Sequence, residues 1–421
     1  MEEKHIKRAE ELITFLNECP THFHFVEKAR KMLSDNGFVE LDERSRFSLE
    51  RGKSYFVTRN SSAMIAFRIP ESFDRLHIIS AHTDSPCFRI KGNPESKNGD
   101  MPNRLNVETY GGLLLSPWLD RPLSIAGRVF VKGVNGLEER LVKLDTTVLI
   151  PNLAIHQNRE ANTGWKISVQ KEMLPIYSDE SLSIIDEVAE KLSVDKSDIL
   201  DMDLYLANSV DGMIWGRDKA YFSAARIDDL ECAYASLVAI TENPLSNNHI
   251  SMIALFDNEE TGSGTKQGAL SDFLSNTIAR ITSSLGLDEE ERLMLISSSR
   301  MVSADNAHAV HPAWPEKADI TNKVHMNKGV VIKYAANQKY TTDGESGSFI
   351  KDLMDRNGIP HQDFYNNSDV SGGSTLGNLS SQKVSIRTCD IGMAQLAMHS
   401  PYETAGVKDV SIAIDFFKAF L

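Results

Sequence analysis

The sequence predicts an α/β core interrupted by one long β-rich insertion, and three observations point to it. Helical periodicity alternates with short apolar, strand-like runs at both ends of the chain. From about residue 88 to 222 the texture changes to many short strand-like runs between turn signals. Residues able to do chemistry follow directly after the apolar runs at the two ends, where an open α/β sheet collects its functional groups. The length of 421 residues exceeds one ordinary domain, and no internal repeat is visible.

Taken in order, Ile6, Ala9, Ile13 and Leu16 recur at helical spacing until Cys19-Pro20. Residues 26–33 form a second predicted helix, closed near Asn36-Gly37. Residues 54–57 and 64–67 are predicted strands, and 76–81 a buried central strand. In the middle stretch, 113–115, 129–131 and 147–150 are predicted strands, and 179–192 an acidic amphipathic helix. From Asp228 onward helices and buried strands alternate again, the clearest strands being 253–256, 301–304 and 384–387.

Composition excludes several function classes. Apolar residues make up 41% and charged residues 25%, with a formal charge of −14. A surface that acidic repels phosphate backbones, so neither nucleic acid nor an anionic membrane is an expected partner. The chain lacks the basic-then-apolar opening of a secretory signal and any apolar run long enough to span a bilayer. Cys19, Cys87, Cys232 and Cys389 are scattered without a CxxC pair, as expected of reduced thiols in a cytoplasmic protein.

The chemistry lies at the predicted strand ends. His82 and Asp84 are two apart in Ala81-His82-Thr83-Asp84, so an extended backbone puts both on one face and lets Asp84 orient a metal-ligating His82. Asp228-Asp229 precede a helix, Glu259-Glu260 follow a strand, Asp305 follows another, and His399 sits in an apolar setting near the C-terminus. Each alone has an ordinary explanation: a polar pair, a helix cap, a solvated first turn or a buried histidine. In combination, crowded carboxylates need counter-charge. Nitrogen and oxygen ligands without thiolate suit Zn²⁺, with Mn²⁺ or Co²⁺ as substitutes. Five ligands, one carboxylate bridging, suffice for a two-metal site, and the Glu259-Glu260 pair offers one ligand and one general base.

These residues resemble the aspartyl aminopeptidases, dodecameric di-zinc exopeptidases, along essentially the whole chain. The resemblance is carried by 81–86, 226–229, 258–263, 303–305, 307–312, 373–377 and 395–400. It implies a bacterial-type member with a mixed-sheet zinc-exopeptidase catalytic domain at 1–87 and 223–421. A β-rich dimerisation domain occupies 88–222. It implies that Asp228 bridges two zinc ions per chain, with His82 and Asp305 completing one site and Glu260 and His399 the other. Glu259 is then the general base and Asp84 the orienting carboxylate, in a metallo-aminopeptidase acting on peptides. The family's tetrahedral dodecamer, built from dimers, brings His156 of the motif at 152–159 to a neighbouring active site.

The family's preference for acidic N-terminal residues implies a complementary lysine, for which Lys333 is the candidate. Its surroundings depart from the family pattern at Asn327, Val330, Ala335, Lys339 and Thr342-Asp343. Asp343 adds negative charge near the expected pocket, leaving acidic, broad and basic preferences open. Two other readings compete: a self-assembling scaffold or cargo shell with an incidental peptidase site, and a di-metal deacylase or carboxypeptidase. The complete ligand set speaks against the first, and the insertion motif with His156 against the second.

Overall fold

The computed structural model describes residues 1–97, 99–134, 136–370 and 372–421. Among these, the largest sheet has nine strands. Their spatial order is Val39–Leu41, Ser54–Arg59, Ala63–Arg68, His249–Phe256, Arg75–His82, Arg300–Ala304, Arg387–Gly392, Val330–Tyr334 and His361–Tyr365. His249–Phe256, Arg75–His82, Arg300–Ala304 and Arg387–Gly392 run parallel, so their carboxyl ends open on one edge.

Side chains alternate across this sheet, as a pleated backbone requires. Ile79, Ala81, Ile253 and Leu255 share a core with helices Glu3–Glu18, His22–Asp35, Ile227–Glu242 and Val407–Phe420. Leu76, Ile78, Met252 and Ala254 share another with Phe273–Ser284 and Glu289–Ser298. Helix Ile227–Glu242 is buried from Ile227 to Ile240, which its largely apolar circumference permits.

A second sheet of six strands, all from the middle of the chain, runs antiparallel throughout. Its order is Gly136–Val148, Leu123–Gly133, Ile199–Asn208, Cys87–Ser96, Asn103–Tyr110 and Ile176–Ser178. Val129, Val131, Leu204 and Leu206 pack there with Ile184 and Val188 of helix Ile184–Leu192. A third sheet of five short strands joins Met213–Trp215, Tyr221–Ala224, Glu403–Gly406, Ala394–Leu396 and Ala307–His308. Arg128 ties the second sheet to the first: it donates to the Asn60 carbonyl at 2.7 Å and lies 4.2 Å from the Phe23 ring centre.

Three expected elements are corrected. Residues 113–115 form no strand; the Leu114 N–H donates to the His399 carbonyl at 3.1 Å instead of to a ladder. Residues 384–386 precede the strand rather than open it, because Val384 N–H bonds back to the Ser380 carbonyl. The acidic helix begins at Ile184, after Ser183, not at 179. No helix of the described residues is long and apolar enough to cross a membrane.

Candidate metal centre

The carboxyl edge of the parallel strands gathers the residues singled out in the sequence. His82 ends strand Arg75–His82, and Asp305 directly follows Arg300–Ala304. Glu259 and Glu260 open a single 3-10 turn after His249–Phe256. Asp228 stands at the start of helix Ile227–Glu242, and His399 lies in the loop before Glu403–Gly406. Arg226, Asn258, Ala397 and His399 all have left-handed backbone, with φ of 62°, 60°, 57° and 67°. Non-glycine residues accept that conformation at some cost, typically where a site demands it.

Two donor groups share one carboxylate: His82, Asp228 and Asp305 form the first, and Asp228, Glu260 and His399 the second. Asp228 Oδ1 lies 3.3 Å from His82 Nε2, while its Oδ2 lies 3.6 Å from His399 Nε2. Asp305 Oδ1 is 3.8 Å from His82 Nε2, and Glu260 Oε2 is 3.4 Å from His399 Nε2. Ligand atoms about 2.0–2.1 Å from one tetrahedral ion are separated by about 3.3 Å, so the spacing fits zinc. Asp228 Oδ1 and Glu260 Oε1 are buried without a hydrogen-bond partner, a costly arrangement unless a cation meets them.

The shell around these donors sets their orientation. His82 Nδ1 donates to the Asp84 carbonyl at 3.1 Å and lies 3.4 Å from its Oδ1, leaving Nε2 as the free lone pair. His399 Nδ1 likewise donates to the Gly112 carbonyl at 2.7 Å. Asp84 accepts from the Glu259 and Glu260 N–H groups at 3.1 and 3.2 Å and from the Tyr110 hydroxyl at 2.7 Å. Glu403 accepts from the N–H groups of Asp228 and His399 at 3.1 and 2.8 Å. Periodicity flags neither Tyr110 nor Glu403, because Tyr110 reaches out of the second sheet to Asp84 and Glu403 meets Asp228 175 residues away.

Electrostatics follow from crowding in a dry site. Burial, reinforced by Asp305, Asp84 and Asp228, pushes Glu259 up to about 8, and burial with Asp228, Glu259 and Asp84 pushes Glu260 well above the usual carboxylate range. Asp305 goes the other way, to about 2, because Lys333 and His82 outweigh its burial. Cations bound among these groups would replace the protons that such a cluster otherwise holds.

A cleft of about 300 Å³ opens beside the donors, lined also by Asn306, His308, Lys333, Tyr340, Phe364 and Thr375. Lys333 is 2% exposed, donates to the Asn306 carbonyl at 2.7 Å and lies 3.7 Å from Asp305 Oδ2. Asp343 does not line this cleft. It caps helix Gly344–Arg356, accepting from the Glu345 and Ser346 N–H groups at 3.1 and 2.8 Å. His156 is not brought to the donors either; it lies exposed beside Leu153 and Ile155, which are 51% and 48% exposed.

Comparison with known proteins places the chain in a family of aminopeptidases. The profile of the family described as aminopeptidase I zinc metalloprotease (M18) matches residues 15–421. A Clostridium novyi protein named "Probable M18 family aminopeptidase 2" is 43% identical over 99% of this chain and 98% of its own length. A Ricinus communis protein named "Probable aspartyl aminopeptidase" is 34% identical over 97% of this chain and 94% of its own. The S. cerevisiae mApe1 dodecamer superposes with a TM-score of 0.86 at 26% identity, covering 99% of this chain and 97% of that one.

Proposed function

Because the chain belongs to the M18 family of zinc metallo-aminopeptidases, we propose that it removes the N-terminal residue of peptides using two zinc ions. His82 and Asp305 would hold one and Glu260 and His399 the other, with Asp228 the carboxylate common to both donor groups. The observation that carries this reading is the division of Asp228, one oxygen turned to each histidine. The donor chemistry, imidazole and carboxylate without thiolate, also admits Mn²⁺ or Co²⁺.

Zinc held there would supply Lewis acidity, the chemistry that polarises a carbonyl and makes water a better acid near neutral pH. Glu259 is the general base: it takes the proton of the attacking water and passes it to the departing amine as the C–N bond breaks. Asp84 fixes His82 so that Nε2, not Nδ1, faces the metal. Glu259→Gln tests the assignment. Full zinc uptake with turnover lowered about 10²–10⁴-fold is expected, and wild-type hydrolysis by the mutant would remove Glu259 from this role.

Lys333 at the cleft wall favours an acidic N-terminal side chain, in line with the name of the Ricinus relative. The same reading makes 1–87 and 223–421 the catalytic domain and 88–222 a dimerisation domain in a tetrahedral dodecamer. The dodecameric yeast neighbour supports it, as do the exposed Leu153 and Ile155 beside His156, which in this assembly reaches a neighbouring active site. The four cysteines are unpaired, as suits a reducing cytoplasmic setting.

A further inference from the structure

Resting on the two-zinc reading, we infer that Tyr110 is a positioning residue of the metal centre that acts through Asp84, so that the inserted sheet completes the site it interrupts.

Tyr110 ends strand Asn103–Tyr110 of the six-stranded sheet, yet its hydroxyl reaches Asp84 Oδ2 at 2.7 Å. The direction of its single proton follows from its neighbours. Asn258 Oδ1 is already taken by the Thr265 hydroxyl at 2.8 Å and Gln267 Nε2 at 2.7 Å. Asn258 therefore turns Nδ2 to the Tyr110 oxygen, at 2.8 Å, and an amide nitrogen only donates. The phenol proton is left for Asp84 alone. Burial and the Asp84 charge also hold the phenol far above its ordinary pKa, so it stays a donor.

Asp84 in turn touches one donor of each half-site and the proposed base. It takes the N–H groups of Glu259 and Glu260 and faces His82 Nδ1 at 3.4 Å. Without the tyrosine proton, Oδ2 keeps only the Glu260 N–H, and the carboxylate is freer to turn away from His82. The next residues of the insertion continue the contact. A Cβ on Gly111 would approach Glu260 Cβ to 3.0 Å, and the Gly112 carbonyl orients His399. Of these three residues only Tyr110 acts by its side chain, so it is the one a substitution can test.

Tyr110→Phe removes one oxygen and keeps the ring, which packs 5.9 Å from Tyr205. Zinc affinity would be measured by chelator competition, alongside kcat, KM and the melting of the metal-free protein. One zinc is expected to bind about 10–100-fold more weakly, the usual effect of losing such a supporting group. The fall in kcat should be similar, with KM and metal-free melting nearly unchanged. Asp84→Asn combined with Tyr110→Phe should lose no more than Asp84→Asn alone, because the tyrosine works through that carboxylate. Zinc affinity within about twofold of wild type would overturn the inference and leave the two-zinc reading standing; additive losses in the double mutant would do the same. A wild-type protein that takes up no zinc would overturn both.

Discussion

Lys333 and Asp305 form a buried pair whose members also serve the proposed site. Their separation of 3.7 Å, with Lys333 2% exposed, makes each the other's counter-charge in the absence of metal. Lys333→Met should therefore destabilise the metal-free protein by up to about 3–5 kcal/mol, since the buried carboxylate keeps only His82 as a counter-charge. Zinc would restore part of that loss, and urea denaturation with and without zinc measures both. On a panel of Asp-, Glu-, Lys- and Leu-initiated peptides, the mutant should lose any advantage of the acidic pair; an unchanged ranking would take Lys333 out of the specificity pocket. At this scale the residues legible in the sequence are the acids and histidines beside predicted strands and helix starts: His82 with Asp84, Asp228, Glu259 with Glu260, Asp305 and His399. Tyr110 and Glu403 are not, because a tyrosine ending a strand or a glutamate opening one carries no sign of the distant backbone or carboxylate it meets.

Single elements show where pattern reading succeeds and where backbone bonding overrides it. The buried strand at 76–81 is plain from its apolar run, and its neighbours pair on both sides in register. Residues 384–386 alternate buried, exposed, buried like a strand, yet their backbone is spent locally, so pairing begins at Arg387 opposite Arg300. The three leucines at 113–115 follow Gly111-Gly112 and cross to the His399 loop, a path that hydropathy cannot distinguish from a short strand. Asp343 is another case: the charge expected at the cleft is a helix cap. Asp343→Ala should thus cost about 1 kcal/mol of stability, the usual value of such a cap, and leave the ranking of peptide substrates as it was. Thermal melting and the same peptide panel test the two halves of that statement.

For the whole molecule, the charge of −14 combines with acids buried away from solvent. Asp409 is wholly buried and pushed up to about 7 by that burial, against an ordinary 3.8. Between those values the unfolded chain has released the proton that the folded protein keeps, so this group's contribution to stability falls as pH rises from about 4 to 7. Wild type should lose stability relative to Asp409→Asn as pH rises across that interval in urea titrations of the metal-free protein; a constant difference would show that Asp409 ionises normally. Stripping zinc should lower the melting temperature reversibly, since ligand present at about a hundred times its dissociation constant adds about 2.7 kcal/mol. Size-exclusion chromatography should return a dodecamer, and a monomer at working concentration would separate His156 from the active site.

The position of the insertion also bears on the order in which the chain is made. Strand Arg75–His82 sits in the middle of the nine-stranded sheet, but its partners His249–Phe256 and Arg300–Ala304 lie beyond the entire second sheet. During synthesis the six-stranded unit can close on itself while strand Arg75–His82 still waits with both edges unpaired. That nascent half exposes the apolar faces around Leu76, Ile78 and Ile79, the surface that a ribosome-bound chaperone would hold. By the time residue 249 emerges, a folded insertion has already drawn the ends of its own segment together. The long connection then closes as a short one, and the parallel pair that carries the metal edge forms without the entropy cost of a free loop.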